Sequence, residues 1–312
     1  MVLTLQCKFQ SVRVGATYAM IPPLMRHAYL HVSSAPTMLW AHAKRVALIM
    51  MAIGAPAVEA LEAQPYTARL AAAGSRSTEL ALLLAGADAD APPDALRQLV
   101  LEQNIASKKS AAARTKVWGQ LRQRYILDST APEYADFVAS FRSTPRHAEQ
   151  GLLCYLLFAR TDRLFREVTL SAIAPYLARA DRPIDSVEVQ ARLDALLAAQ
   201  GLQWTEETRE TVRQHLLSAL KDFGVLRGGI KKRTTRLHIG PVVTWYAARL
   251  AQLEGRTARQ GLDSVWFRLL GLDADGAIVA LHEAAQTGIL AFRLQAEVVE
   301  LELRPLADWT TP

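Results

Sequence analysis

Beyond residue 65, apolar residues recur every three to four positions, the spacing of helices with one buried face. Residues 66–73 and 78–84 read as short apolar helices, punctuated by Gly74 and Gly86. Asp88-Ala-Asp-Ala-Pro-Pro-Asp94 reads as a loop and helix start, because proline and aspartate suit a first turn with free N–H groups. Helices are expected over 94–104 and 110–127; in the second, Ala113, Val117, Leu121 and Tyr125 mark one buried face. Residues 151–159 are apolar on every side and few, which predicts a central core helix rather than a membrane span. An amphipathic helix is expected over 162–180, and Asp181-Arg-Pro-Ile-Asp-Ser186 breaks the chain.

After that break the pattern twice passes from helix to alternation. Residues 187–199 form a helix closed by Gly201. Thr205 then precedes Glu206 and Glu207, an N-cap followed by two acids that suit a helix dipole. Val212, Leu216, Leu220 and Phe223 lie on one face of that helix, and Gly224 is expected to end it in a left-handed conformation. Extended structure over 225–230, a Gly-Gly turn and a returning strand over 231–239 make a hairpin. Helices over 262–270 and 278–287, then a hairpin of 289–294 with 297–303, repeat the order.

Two helices followed by a glycine-turned hairpin is the order of a winged helix. The first hairpin carries Arg227, Lys231, Lys232, Arg233 and Arg236 without an acid in its own sequence, and the preceding helix offers Arg209, Arg213, Gln214 and Lys221. Cations so placed reach phosphates beside a groove that the helix enters. The alternative is an edge hairpin protected from aggregation by its charge. Strand alternation sets Lys231 with Arg233 on one face, and Lys232 with Arg236 on the other. The second hairpin is acidic, with Glu297, Glu300 and Glu302 against Arg293 and Arg304, and is expected to pack on the protein or meet a partner. A third basic run, Lys108, Lys109, Arg114, Lys116, Arg122 and Arg124, surrounds the 110–127 helix with no acid between Glu102 and Asp128. It is a solvated helix face or a second anion-binding surface.

Composition adds little to the fold and something to the function. Alanine and leucine abound while aromatics make up 7% of 312 residues, which favours helix over a sandwich of sheets. The net charge of +6 permits an acidic partner such as nucleic acid. Two cysteines, Cys7 and Cys154, give no disulfide framework, and Cys154 is expected to be an inert buried thiol in the cytoplasm. Residues 1–64 lack sustained periodicity. Lys44-Arg45 with the apolar stretch to Val58 has the order of a signal peptide, set over forty residues late. A start assigned too far upstream is the alternative. His27 and His31 lack the glutamate of a zinc-protease helix, and the acidic 88–94 loop lacks the glycine and final glutamate of a calcium loop. No phosphate-cradling loop, dinucleotide fingerprint, nucleophile elbow or zinc-spaced cluster occurs. The expectation is a binding protein rather than an enzyme, with no cofactor, metal, membrane or small-molecule substrate.

From Tyr66 to the C-terminus the chain resembles the BrxA family of the bacterial BREX phage-exclusion systems. The segments that carry the likeness are Tyr66-Thr-Ala-Arg-Leu70 with Glu79, Leu101-Glu-Gln-Asn104 with Lys108-Lys109, and Leu121-Arg-Gln-Arg-Tyr125. Arg160-Thr-Asp-Arg-Leu164, Lys221-Asp-Phe-Gly-Val-Leu226 and Leu262-Asp-Ser-Val-Trp-Phe267 follow in order. The resemblance implies a small, mainly helical protein of helix-turn-helix character that binds double-stranded DNA and serves a multi-protein defence complex with other BREX proteins. Its N-terminal part is similar to the helical antitermination-factor fold. The expected organisation is therefore an extension (1–64), a helical domain (65–180), a winged-helix-like unit (181–240) and a second helix-plus-hairpin unit (241–312). With no obvious row of base-reading side chains, little sequence specificity is expected. A scaffold for sister defence proteins and an RNA-binding helical module are the competing readings.

Residues 1–64 show no coherent buried face. A chain beginning at Ala63 is expected to keep the melting temperature and DNA affinity of the full chain, measured side by side. A large loss of either would show that the extension packs on the body.

Overall fold

Helix caps set most element boundaries. The computed structural model describes residues 63–144, 146–296, 298–306 and 309; the signal-like segment and the His27–His31 pair lie outside them. Short helices α1 (Arg69–Ala72), α2 (Ser77–Gly86) and α3 (Pro93–Leu101) lead into α4 (Ala111–Tyr125). The Ser110 hydroxyl caps α4 by accepting the Ala113 N–H at 3.2 Å. Then come α5 (Pro132–Ser143), α6 (His147–Thr161), α7 (Arg163–Ala172) and α8 (Ala174–Leu177). The single helix expected over 162–180 is thus broken near Pro175; Asp162 caps α7 through the Phe165 N–H at 3.0 Å.

Strand β1 (Pro183–Ile184) precedes α9 (Ser186–Ala199) and α10 (Glu206–Asp222), which are capped by Asp185 and Thr205. Strands β2 (Leu226–Arg227) and β3 (Lys232–Thr234) follow. The three strands form one antiparallel sheet in the order β1-β3-β2. The hairpin strands are shorter than the alternation suggested, and Gly228–Lys231 form a four-residue tip. Lys231 therefore sits in the turn, not on a strand face, and Arg236 lies beyond the end of β3.

The C-terminal part begins with α11 (Pro241–Leu253), which the sequence reading passed over. Pro241 opens it, and Val242–Ala248, Leu250 and Ala251 are all buried. It packs on α5 and α6, and also on α13 (Val265–Leu269) and α14 (Ala274–Gln286). The helix expected over 262–270 is instead two pieces, α12 (Ala258–Leu262) and α13, separated at Asp263 and Ser264. Strands β4 (Leu290–Gln295) and β5 (Val298–Leu303) pair along their whole length, from Leu290 opposite Leu303 to Gln295 opposite Val298. One connected set of buried side chains runs from Leu70 to Leu306, so the segments 65–180, 181–240 and 241–312 share a core.

At its centre lies α6, whose residues Leu152–Ala159 are all buried, as the unbroken apolar run predicts. Burial pushes the Cys154 thiol up to about 12, which leaves it protonated and unreactive. Tyr155 and Phe158 of α6, Phe165 of α7 and Phe223 after α10 form an aromatic cluster with ring centroids 4.7–6.2 Å apart. Gly224 takes φ +78°, the left-handed turn expected where α10 gives way to β2.

Phe223 is 1% exposed and touches three rings of that cluster. Phe223→Ala is expected to cost about 3–5 kcal/mol in chemical denaturation. A wild-type midpoint would contradict the packing described here.

Candidate nucleic-acid interface

Register decides what the small sheet presents. Leu226 pairs with Thr234, and both are buried; Arg227 pairs with Arg233 on the opposite, outer face. Two guanidiniums directly across a ladder repel each other. Asp181 resolves the conflict. Its Oδ1 accepts from Arg233 Nε at 2.6 Å and also from Arg227, while its carbonyl accepts Arg233 Nη2 at 2.7 Å. The basic hairpin is thus free of acid in its own sequence but not in space, where Asp181 opposes Arg227 and Arg233. The hydrogen bond from Arg233 leads in holding the Asp181 carboxyl below its usual range, with Arg227 adding to it. The bridge is therefore present above the ordinary carboxylate range and is lost only as pH falls through the depressed value.

Pairing with β1 brings further cations to the sheet. The Thr234 hydroxyl donates to the Arg179 carbonyl at 2.8 Å and accepts the Arg182 N–H at 3.0 Å. Arg179 and Arg182 are both exposed. The sequence reading missed them because a two-residue strand between Arg182 and Asp185 has no periodicity to detect. Lys221 is exposed at the end of α10, and Lys231 and Arg236 are exposed beyond it. Lys232 is half-buried; burial first, then the neighbouring Lys221 charge, push its ammonium below the ordinary lysine value. Across residues 179–185 and 221–236, eight cations stand against three carboxylates.

The rest of the expected interface is placed differently. Arg209 reaches Asp194 of α9 at 2.9 Å, and Arg213 reaches Gln190 of α9 at 3.1 Å. Both arginines therefore serve the seam between α9 and α10. The exposed N-terminal part of α10 carries Glu206, Glu207, Glu210 and Gln214, and Gln214 donates to Glu210 at 3.0 Å. That face is acidic. Of the cations around α4, Lys109, Lys116 and Arg122 are exposed, while Arg114 is half-buried. Lys108 binds Glu79 at 3.0 Å, beside the Arg76–Glu79 pair at 2.9 Å. Burial alone would raise the Glu79 carboxyl; Lys108, its own backbone N–H and Arg76 together outweigh that and lower it. Arg124 is 3% exposed and holds the carbonyls of Arg69 and Ala73 at 3.0 and 2.7 Å. Lys108 and Arg124 are braces, not members of a solvated run.

The second hairpin rests Leu290 and Phe292 on the body and turns Val298, Glu300 and Glu302 outward. A cleft of about 450 Å³ lies between α2, α6 and the end of α10, and an adjoining one is lined by Ser75, His215 and Asp222. There, Ser75 donates to Asp222 at 2.6 Å, not to a histidine. His215 Nδ1 lies 2.6 Å from the Leu70 carbonyl, a contact that requires a proton on Nδ1. Among the described residues no cluster of histidine, cysteine and carboxylate suits a metal, and no helix is long and apolar enough to cross a membrane.

The class is a mainly helical protein with a basic three-stranded hairpin sheet set into its body. The chain belongs to the BrxA family, whose family model matches residues 64–250, from the start of the described body into α11. It is thereby a protein associated with BREX antiviral defence. No curated protein matches the chain.

Asp181→Asn removes the one carboxylate between two exposed guanidiniums. The variant is expected to elute from a heparin column at higher salt than the parent, with a melting temperature nearly unchanged because the pair is solvated. Unchanged elution would show that this face does not meet polyanions.

Proposed function

We propose that this chain is a non-enzymatic accessory protein of BREX defence that binds duplex DNA through phosphate contacts, in the cytoplasm and together with other BREX proteins. The observation that carries the reading is the convergence of Arg179, Arg182, Lys221, Arg227, Lys231, Lys232, Arg233 and Arg236 on one small sheet and its margins. The order helix, strand, two helices and hairpin, with β1-β3-β2 pairing, supports a winged-helix reading of this segment. Here the wing and sheet edge hold the backbone, since Arg209 and Arg213 are spent on α9 and the start of α10 is acidic. Binding through phosphates carries little sequence information. Burial depresses the Lys232 ammonium most and the neighbouring Lys221 charge adds to it; a phosphate bound there would offset that second contribution.

The scaffold reading keeps one observation of its own. Val298, Glu300 and Glu302 on the outer side of the second hairpin suit a protein partner better than a nucleic acid. The two readings concern different surfaces, and a protein of a defence complex has use for both.

Replacing Lys231, Lys232, Arg233 and Arg236 together with alanine is expected to leave the melting temperature near wild type. Affinity falls for all duplex sequences alike, and the slope of log affinity against log salt shrinks by about 0.9 per lost phosphate contact. Lys109→Ala with Lys116→Ala is the matched control, free of the Lys108 brace. A loss confined to that control moves the interface to α4, and preference for structured RNA over duplex DNA favours the RNA-binding reading. If neither set weakens binding, the wing proposal is wrong.

A further inference from the structure

The tip of the basic hairpin carries a side chain that nothing in the fold requires. Ile230 is 103% exposed, more than any other large apolar residue among those described. Leu82, Val187 and Val279 lie within helices at 43–73% exposure. Val298 begins β5 close to Glu300 and Glu302, a setting that repels phosphate. Ile230 alone combines full exposure with a cationic setting: Arg227, Lys231, Lys232 and Arg233 flank it in the hairpin.

The turn itself favours no isoleucine. Tight turns select glycine, asparagine, aspartate and serine, and a β-branched residue gains nothing there from packing. The tip is also narrow and held in shape. Gly228 takes φ +97°, and a Cβ at that position would collide with the Lys231 carbonyl oxygen. Lys232 Nζ closes the turn by donating to the Gly228 carbonyl at 3.3 Å. With no side chains at Gly228 and Gly229, the projecting bulk is Ile230 and the Lys231 stem. A β-branched side chain is stiff about χ1, so it loses little freedom when a ligand encloses it.

We propose that Ile230 is a wedge that enters the minor groove of duplex DNA and parts a base step, with Lys231 and Lys232 on the flanking phosphates. This rests on the duplex-binding reading above and adds how the hairpin engages the duplex. The minor groove is about 6 Å wide, which admits a glycine-thinned tip but not a helix. Apolar wedges of this size, isoleucine among them, unstack steps and bend DNA, and cations close the backbone around them. Flexible pyrimidine–purine steps such as TA open most readily, so the wedge confers a preference for deformable steps without reading base edges. A bilayer is the weaker match, because even a whole fatty-acyl chain gives only reversible anchoring and one isoleucine buries far less.

The test uses the full chain and a short duplex with 2-aminopurine at TA steps and a fluorophore pair at its ends. Wild-type protein is expected to raise 2-aminopurine fluorescence and shorten the end-to-end distance on binding. Ile230→Ser is expected to bind about tenfold more weakly, with neither signal and an unchanged salt slope, whereas Ile230→Leu keeps both signals. Their melting temperatures should equal that of wild type, since Ile230 touches no core. Wild-type binding without unstacking, or full unstacking by Ile230→Ser, overturns the wedge and leaves duplex binding standing. Failure of the wild type to bind any duplex overturns both. Binding to anionic vesicles that Ile230→Ser abolishes, with no unstacking of DNA, overturns the wedge in favour of a membrane contact.

Discussion

Four aromatic rings, Tyr155, Phe158, Phe165 and Phe223, are the contact on which the placement of everything else depends. They come from three separate stretches of chain and meet over the buried helix α6. Phe223 is the decisive member, for it is the last buried side chain before the backbone turns at Gly224. Anchoring it fixes where α10 stops, and therefore where the basic hairpin leaves the body. Helix α11 holds the opposite flank through Tyr246, whose hydroxyl donates to the Glu133 carbonyl at 3.1 Å, and Trp245, which donates to the Arg304 carbonyl at 2.9 Å. The second hairpin is thereby tied to the same core.

On that support the sheet solves an electrostatic problem. Its outer face gathers like charges, and like charges directly opposite one another destabilise the sheet that displays them. Asp181 sits where the repulsion is greatest, between the opposed Arg227 and Arg233, and leaves Lys231 and Arg236 exposed. The carboxylate lowers the local charge without emptying the surface. Elsewhere cations have other duties: Lys108, Arg124, Arg209 and Arg213 hold loops, carbonyls and a helix seam together.

Local order along the chain was legible where one face or all faces of a helix are apolar. The run around Cys154, the cap Thr205 and the Phe223–Gly224 helix end are read from neighbours within a turn or two. Helices α5 and α11 escaped notice for opposite reasons. The first mixes Glu133, Asp136 and Arg142 into its pattern, and the second begins at a Gly-Pro pair that reads as a stop. Charges were the least legible. Nothing within the basic hairpin reveals Asp181, 52 residues before Arg233, and nothing around Lys108, in the loop before α4, reveals that it faces Glu79. Site geometry depends on such distant partners, whereas helical periodicity does not.

The pairing of β1 with β3 also carries a kinetic consequence. The strands are very short and lie on either side of the whole α9–α10 pair, so in an open chain their closure entropy is large and their reward small. Once those helices have folded and Phe223 is docked, the same two strands are already neighbours. The sheet is then a late addition to a helical body, and its inner residues Ile184, Leu226 and Thr234 seat it on the core beneath. The guanidiniums of its outer face therefore stand on a support fixed from beneath, so that their spacing is set by the body and not by the hairpin alone.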